Sequence, residues 1–316
     1  MINWLKNLVK QREFVITLIV VVLFIIMSFV SPYFLTNANL LAVMLGLSLE
    51  AIIAVAMVHL MVTGGFDMSV GSIVAFTGAC TALMLRGGVP VVFAVLLGMV
   101  LGAAIGLFNG LKVAKIGINP FVTTLSSLSL YRGLTLIVTR GQNVTGLPAA
   151  FKAIGQAKLW GIQTPIIISV VLLIIGDILL RNSRFFRQSY YIGGNEHAAR
   201  LSGIAVDKIK ILAYVLTGLF AAISGIVMTA RLGSASVTAG TGLELRVITA
   251  VIIGGASLAG GEGTILGAFL GTLLMGLISN ALTLTGVDVY WQTFVTGATL
   301  LTAVLIDTLS KKYKLN

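Results

Sequence analysis

Four ionisable side chains fall inside strongly apolar stretches of this sequence: Glu50, His59, Arg132 and Asp177. A charge placed in hydrocarbon is costly, so such residues mark a pathway, a relay or an ion pair. Glu50 lies near the centre of its stretch, and Arg132 is the expected partner across the bundle. Asp177 sits about one turn from a helix end, where it can reach the interface, and His59 reads as a hydrogen-bonded interior histidine. Four scattered groups make a thin proton relay, so a carrier or facilitator driven by an ion gradient is the weaker alternative. Hydrolytic chemistry has no support: there is no G-x-x-x-x-G-K-S/T phosphate loop, no H-E-x-x-H and no Ser/His/Asp grouping. With His59, His197 and the single Cys80, neither a cysteine metal cluster nor an internal disulfide can form. No catalytic and no metal-binding residues are expected.

Three polar segments carry more information than the apolar runs. Two are glycine-dense turns, one with Gly64, Gly65, Asp67, Ser69 and Gly71, the other with Gly254, Gly255, Gly260 and Gly261. Glycine lets helices approach closely, or break at membrane depth where protein satisfies the freed backbone. Each turn precedes a similar apolar helix start, a weak internal echo of the kind transporters show, and Asp67 or Ser69 can cap the helix that follows. The third is the basic loop 181–210. There Gly193-Gly194-Asn195 breaks the chain, Asn195 caps a short helix through Glu196, Ala199, Arg200 and Leu201, and Gly203 after Ser202 stops it. Such a capped helix has the shape to dock into a partner's groove.

The elements that position these residues follow from composition. Of 316 residues, 58% are hydrophobic and 10% charged, with a mean hydropathy of +1.06. This excludes a soluble globular domain, a disordered chain and a nucleic-acid partner. The chain reads as one all-α polytopic membrane domain over 1–316, with about ten spans: 14–31, 40–62, 70–85, 89–111, 120–138, 165–180, 211–230, 247–257, 264–284 and 290–306. The runs 165–180 and 247–257 are each shorter than a comfortable span, and the second reads as a half-helix or as one beginning earlier. Orientation follows from the net charge of +11. With the amino terminus inside, the inner loops hold 14 bases: Lys6, Lys10, Arg12, Lys112, Lys115, Arg181, Arg184, Arg187, Arg200, Lys208, Lys210, Lys311, Lys312 and Lys314. The outer loops hold six: Arg86, Arg140, Lys152, Lys158, Arg231 and Arg246. This bias places both termini in the cytoplasm, and the first helix, too long for a signal peptide, is retained.

Taken together, the motifs resemble the permease subunits of ABC importers for ribose and related monosaccharides. GGFDMSVGS at 64–72 is similar to that family's GGIDLSVGS. GGNEHAARLSGIAVDKIKI at 193–211 resembles its ATPase-coupling segment, and AGTGLELRVITAVIIGGASLAGGEG at 239–263 resembles TAGTGYELDAIAAVVLGGTSLAGGKG. The resemblance implies a homodimeric helical permease in the inner membrane of a prokaryote, surrounded by lipid. It implies an ATPase subunit that uses ATP and Mg, and an extracytoplasmic sugar-binding protein. It also implies that Gly193, Gly194, Asn195, Glu196, Ala199, Arg200, Leu201, Ser202 and Gly203 form the coupling helix, where a bulky residue at Gly194 is expected to abolish transport while leaving membrane insertion intact. Ser48, Glu50, Asn119, Thr123, Ser126 and Asn280 are expected to line the pathway. Three positions depart from the pattern. Glu262 replaces a basic residue, Glu50 an amide, and Arg246 follows Leu245 where an acidic-then-small pair is common. These leave pentoses, hexoses, their glycosides and small polyols open.

Overall fold

The computed structural model describes residues 12–314; Lys6 and Lys10 lie outside the described residues. The order of elements is α1 (Arg12–Val30), α2 (Asn37–Val62), α3 (Val70–Arg86), α4 (Val91–Leu111), a π-helical turn (Lys112–Ile116) and α5 (Pro120–Thr139). After α6 (Ala149–Gln156), the two-residue strands β1 (Lys158–Leu159) and β2 (Ile162–Gln163) form an antiparallel hairpin with Lys158 opposite Gln163. Then come α7 (Thr164–Asn182), α8 (Arg184–Gly194), α9 (Glu196–Leu201), α10 (Val206–Leu232), α11 (Leu243–Ile253), α12 (Ile265–Leu284) and α13 (Val289–Lys314).

All ten expected spans are helices, but only eight among the described residues are long and apolar enough to cross a membrane. The other two are short for a physical reason. α3 has 17 residues because the chain turns inside the bundle before it starts. α11 has 11 residues, about 16 Å at 1.5 Å per residue, roughly half of a hydrocarbon core. It begins at Leu243, earlier than the apolar run, so its first turn carries Glu244 and Arg246.

Contacts between connecting segments sort them to two ends. At one end Lys115 bonds Asp207 at 3.0 Å, Thr264 donates to Glu13 at 2.7 Å, and the Gly261 amide donates to the Val62 carbonyl at 2.9 Å. At the other, Val144 pairs with Ala235, Asn39 with Asn280, and Gln156 donates to the Arg231 carbonyl. The first is the coupling-loop end.

The core is built on α2 and α10. Every residue of α2 from Ala51 to Val62 is buried, as expected of a helix apolar all round. α10 packs on α4 through small residues. A Cβ on Gly102 would strike Ala222 and the Gly218 carbonyl, and one on Gly106 would strike the Tyr214 backbone. Without a hydrophobic drive between helices in lipid, this close approach supplies the attraction. α1, α4, α7 and α13 carry exposed Leu, Ile, Val and Phe along their outer faces.

Candidate functional site in the broken helices and the coupling loop

The turn before α3 is held by a buried polar cluster. The Asp67 Oδ1 accepts from the Ser69 amide at 2.7 Å and from the Ser69 hydroxyl at 2.5 Å, while Asn109 Nδ2 donates to Ser69 Oγ at 3.1 Å and to Asp67 Oδ2 at 3.4 Å. Ser127 Oγ donates to Asn109 Oδ1 at 2.6 Å. Asp67, Ser69 and Asn109 have no exposed surface. Asn109 and Ser127 each stand seven residues from the coupling-loop end of α4 with its π turn and of α5, so the cluster lies about 10 Å inside the bundle. Asp67 therefore organises the turn, and Ser69, at the N-cap position of α3, makes no side-chain cap of its own.

A second break is the segment 233–242 between α10 and α11. Gly233, Gly240 and Gly242 have positive φ, and the segment descends until the Gly240 carbonyl lies against Gly71 at the start of α3. Irregular backbone at this depth must find donors inside the protein. Arg132 supplies them: its Nη1 donates to the carbonyls of Val237 at 3.1 Å and Ala239 at 2.8 Å, and its Nη2 to that of Gly71 at 3.4 Å. The expected pairing of Arg132 with Glu50 is thus corrected. Glu50 pairs with Arg246, Oε1 to Nε 3.3 Å. Arg246 is not an outer-loop base, because α11 starts inside the bundle and its first turn carries the guanidinium there. His59 bonds Ser189 at 2.9 Å, and Asp177 accepts from Arg181 at 2.8 Å.

Glu50 and Arg246 face a cavity of about 630 Å³ between α2, α11, α12 and α13, in the half of the bundle away from the coupling loop. Asn280 lines it too and exchanges hydrogen bonds with Asn39 at 2.7 and 3.2 Å. The other pathway expectations lie elsewhere. Ser48 is buried and donates to the Leu45 carbonyl. Asn119 caps α5 at the coupling-loop end. Ser126 donates to Val122 on an exposed face, and Thr123 is buried without a hydrogen-bond partner. The lining residues Ser279, Gln292 and Thr296 were not anticipated, nor was Asn109; an amide inside the apolar run Gly106–Gly110 was the signal for the last.

At the coupling-loop end, Asn195 Oδ1 accepts from the Ala198 amide at 3.0 Å and Gly203 adopts φ 80°, the caps expected from sequence. α9 buries Ala199 against Ile192, Val206 and Ile209 and leaves Leu201 77% exposed. Its charged face is tied down: Glu196 meets Arg200 at 2.9 Å and Lys210 at 2.5 Å, and Asp207 takes Arg200 at 2.6 Å and Lys115. Partial burial pushes the Glu196 carboxyl upward, but the hydrogen bonds and charges of Lys210 and Arg200 outweigh it and hold the group below its ordinary range. One residue before the break, Gly193 touches the Val62 carbonyl, Gly260 and Gly261 so closely that a Cβ would overlap their backbone. Gly260 in turn lies against Gly64, so the two glycine turns meet each other and the coupling loop at one point.

A family model described as branched-chain amino acid transport system / permease component matches residues 39–304. The chain belongs to this permease family. The ribose import permease of Bacillus subtilis (strain 168) is 42% identical over 288 residues, covering 90% of this chain and 89% of that one. The ribose import permease of Escherichia coli (strain K12) is 42% identical over 304 residues, covering 95% and 94%, and the L-arabinose transport system permease of the same strain is 37% identical over 293 residues, covering 93% and 89%. No solved structure matches. As a multi-pass membrane permease, the chain has three features whose geometry can serve transport: the cavity, the contact of the two glycine turns, and the capped helix.

Proposed function

We infer that this chain is the membrane-spanning permease of an ABC importer for a monosaccharide of the ribose or arabinose kind. A separate ATPase subunit binds ATP and Mg and docks on α9. An extracytoplasmic sugar-binding protein delivers substrate at the opposite end, and a second copy completes a lipid-embedded homodimer with both termini in the cytoplasm. The chain's own contribution is mechanical.

The observation that carries this reading is the unbroken contact from the coupling loop to the cavity. A push on α9 reaches Gly193 and Tyr190 of α8. Gly193 abuts Gly260 and Gly261, and the Tyr190 hydroxyl donates to the Gly263 carbonyl at 2.7 Å. The turn 254–264 is continuous with α11, whose first turn brings Arg246 to the cavity. Gly255, Gly260 and Gly261 hold the turn in left-handed backbone, and a rigid α11 leading from it would carry the push to the cavity. The direct test extracts carboxyl-terminally tagged chain in mild detergent from its own host and identifies co-purifying proteins by mass spectrometry. An ATPase with a phosphate loop is the expected partner. A chain that emerges alone and drives uptake with a proton gradient would overturn the reading in favour of a secondary carrier.

A further inference from the structure

The cavity has the chemistry of a binding site rather than of a void between helices. Its polar groups are one carboxylate, one guanidinium, the amides of Asn280 and Gln292, and hydroxyls such as that of Ser279. Donors and acceptors are mixed and the charges cancel. Leu47, Met275 and Ile278 supply apolar wall, and 630 Å³ lies within the range of about 300–1,000 Å³ of small-molecule sites. On α2, every residue beyond Glu50 is buried as far as Val62. Arg246 Nε is itself buried beside Glu50 yet misaligned for a hydrogen bond, which leaves a donor unused. Glu50 and Arg246 are also two of the three departures from the ribose-permease pattern, and they stand in contact with each other.

We propose that this cup holds one neutral, polyhydroxylated monosaccharide in transit, with Glu50 and Arg246 as its specificity-determining contacts. Sugar hydroxyls both donate and accept, and a paired acid and base offers both at one point without calling for a charged ligand. A sugar acid would have to break the ion pair and leave Glu50 facing its own charge sign. The proposal rests on the permease reading and assigns that activity a site.

The test uses the permease with its ATPase and binding protein, in a Cys80→Ser background carrying Ser279→Cys or, separately, Thr293→Cys. Each cysteine is alkylated by an impermeant thiol reagent in lipid nanodiscs, with D-ribose, L-arabinose, D-galactose or D-gluconate as probe, and uptake of the same probes is followed in proteoliposomes. Both cysteines are expected to react, and at least one neutral sugar should slow the reaction severalfold while gluconate does not. Glu50→Gln and Arg246→Gln should each raise the protecting sugar concentration about tenfold, the effect of losing one charged contact. Neutral-sugar uptake without protection at either cysteine, or cysteines that never react, overturns the site and leaves the permease reading standing. Protection by gluconate equal to that by the neutral sugars overturns the specificity assignment. Uptake of none of the sugars by the assembled complex sinks the reading of the chain as an importer of the ribose or arabinose kind.

Discussion

At the residue scale, two adjacent glycines separate packing from conformation. Gly193 is pressed against backbone on two sides, whereas a Cβ on Gly194 would meet nothing within 4 Å, and neither has positive φ. The open space at Gly194 agrees with insertion being left intact by a bulky residue there, and the loss of transport expected of it would arise only against a docked partner. Gly193→Val should lower the thermal midpoint of the detergent-extracted protein by several degrees and abolish uptake, while Gly194→Val should insert and fold like the parent. A destabilised Gly194 variant beside a normal Gly193 one would refute this packing. Arg132 makes a comparable case. Two carbonyls of irregular backbone and that of Gly71 at the start of α3 accept from it, and hydrogen bonds to a charged donor contribute roughly 1.5–3 kcal/mol each. Arg132→Met is expected to cost several kcal/mol and Arg132→Lys less, since an ammonium retains part of the donation without the planar fork. Equal thermal midpoints for the two variants would show that the guanidinium fork is not what holds the segment.

At the scale of elements, the short α9 helix keeps its attitude through ion pairs rather than a large core. Its Glu196 carboxyl is held below the ordinary 4.5 by Lys210 and Arg200 despite partial burial. A group depressed in the folded state stabilises it fully above its ordinary value and loses that effect as pH falls through the lower, folded one. Limited proteolysis of the 181–210 loop should therefore be flat between pH 6 and 8 and rise only below about pH 4.5. Glu196→Gln should raise cleavage at neutral pH; if it cleaves no faster than the parent there, the ion pairs do not anchor α9. The caps of this helix were legible in sequence because Asn195 and Gly203 act within one turn. The apolar runs were legible because hydropathy needs only length. What hydropathy cannot see is depth: α11 begins inside the bundle at charged Glu244 and Arg246, and the descent of 233–242 depends on Arg132, about a hundred positions earlier. The Glu50–Arg246 pair was missed for that reason, since Arg246 reads as an outer base until the segment before it is known to descend.

For the whole molecule, the sorting of connecting segments into two ends fixes relative topology but not which end faces the cytoplasm. Lys112, Lys115, Arg181, Arg184, Arg187, Arg200, Lys208 and Lys210 gather at the coupling-loop end, whereas Arg86, Arg140, Lys152 and Lys158 lie at the other. Removing Arg246 from the outer count strengthens the bias, because a base inside the bundle carries no topological weight. The proposed function asks for the same orientation, since an ATPase fed by cytoplasmic ATP would have to meet α9, while the 630 Å³ cavity lies in the half of the bundle away from that helix. The two arguments are independent, one concerning insertion and the other energy supply. A single cysteine at Lys158 in a Cys80→Ser background should accordingly react with an impermeant reagent in intact cells, and one at His197 only after the inner membrane is opened. The reverse pattern would set the cup facing the cytoplasm with α9 out of reach of ATP, and an importer could not work in that arrangement.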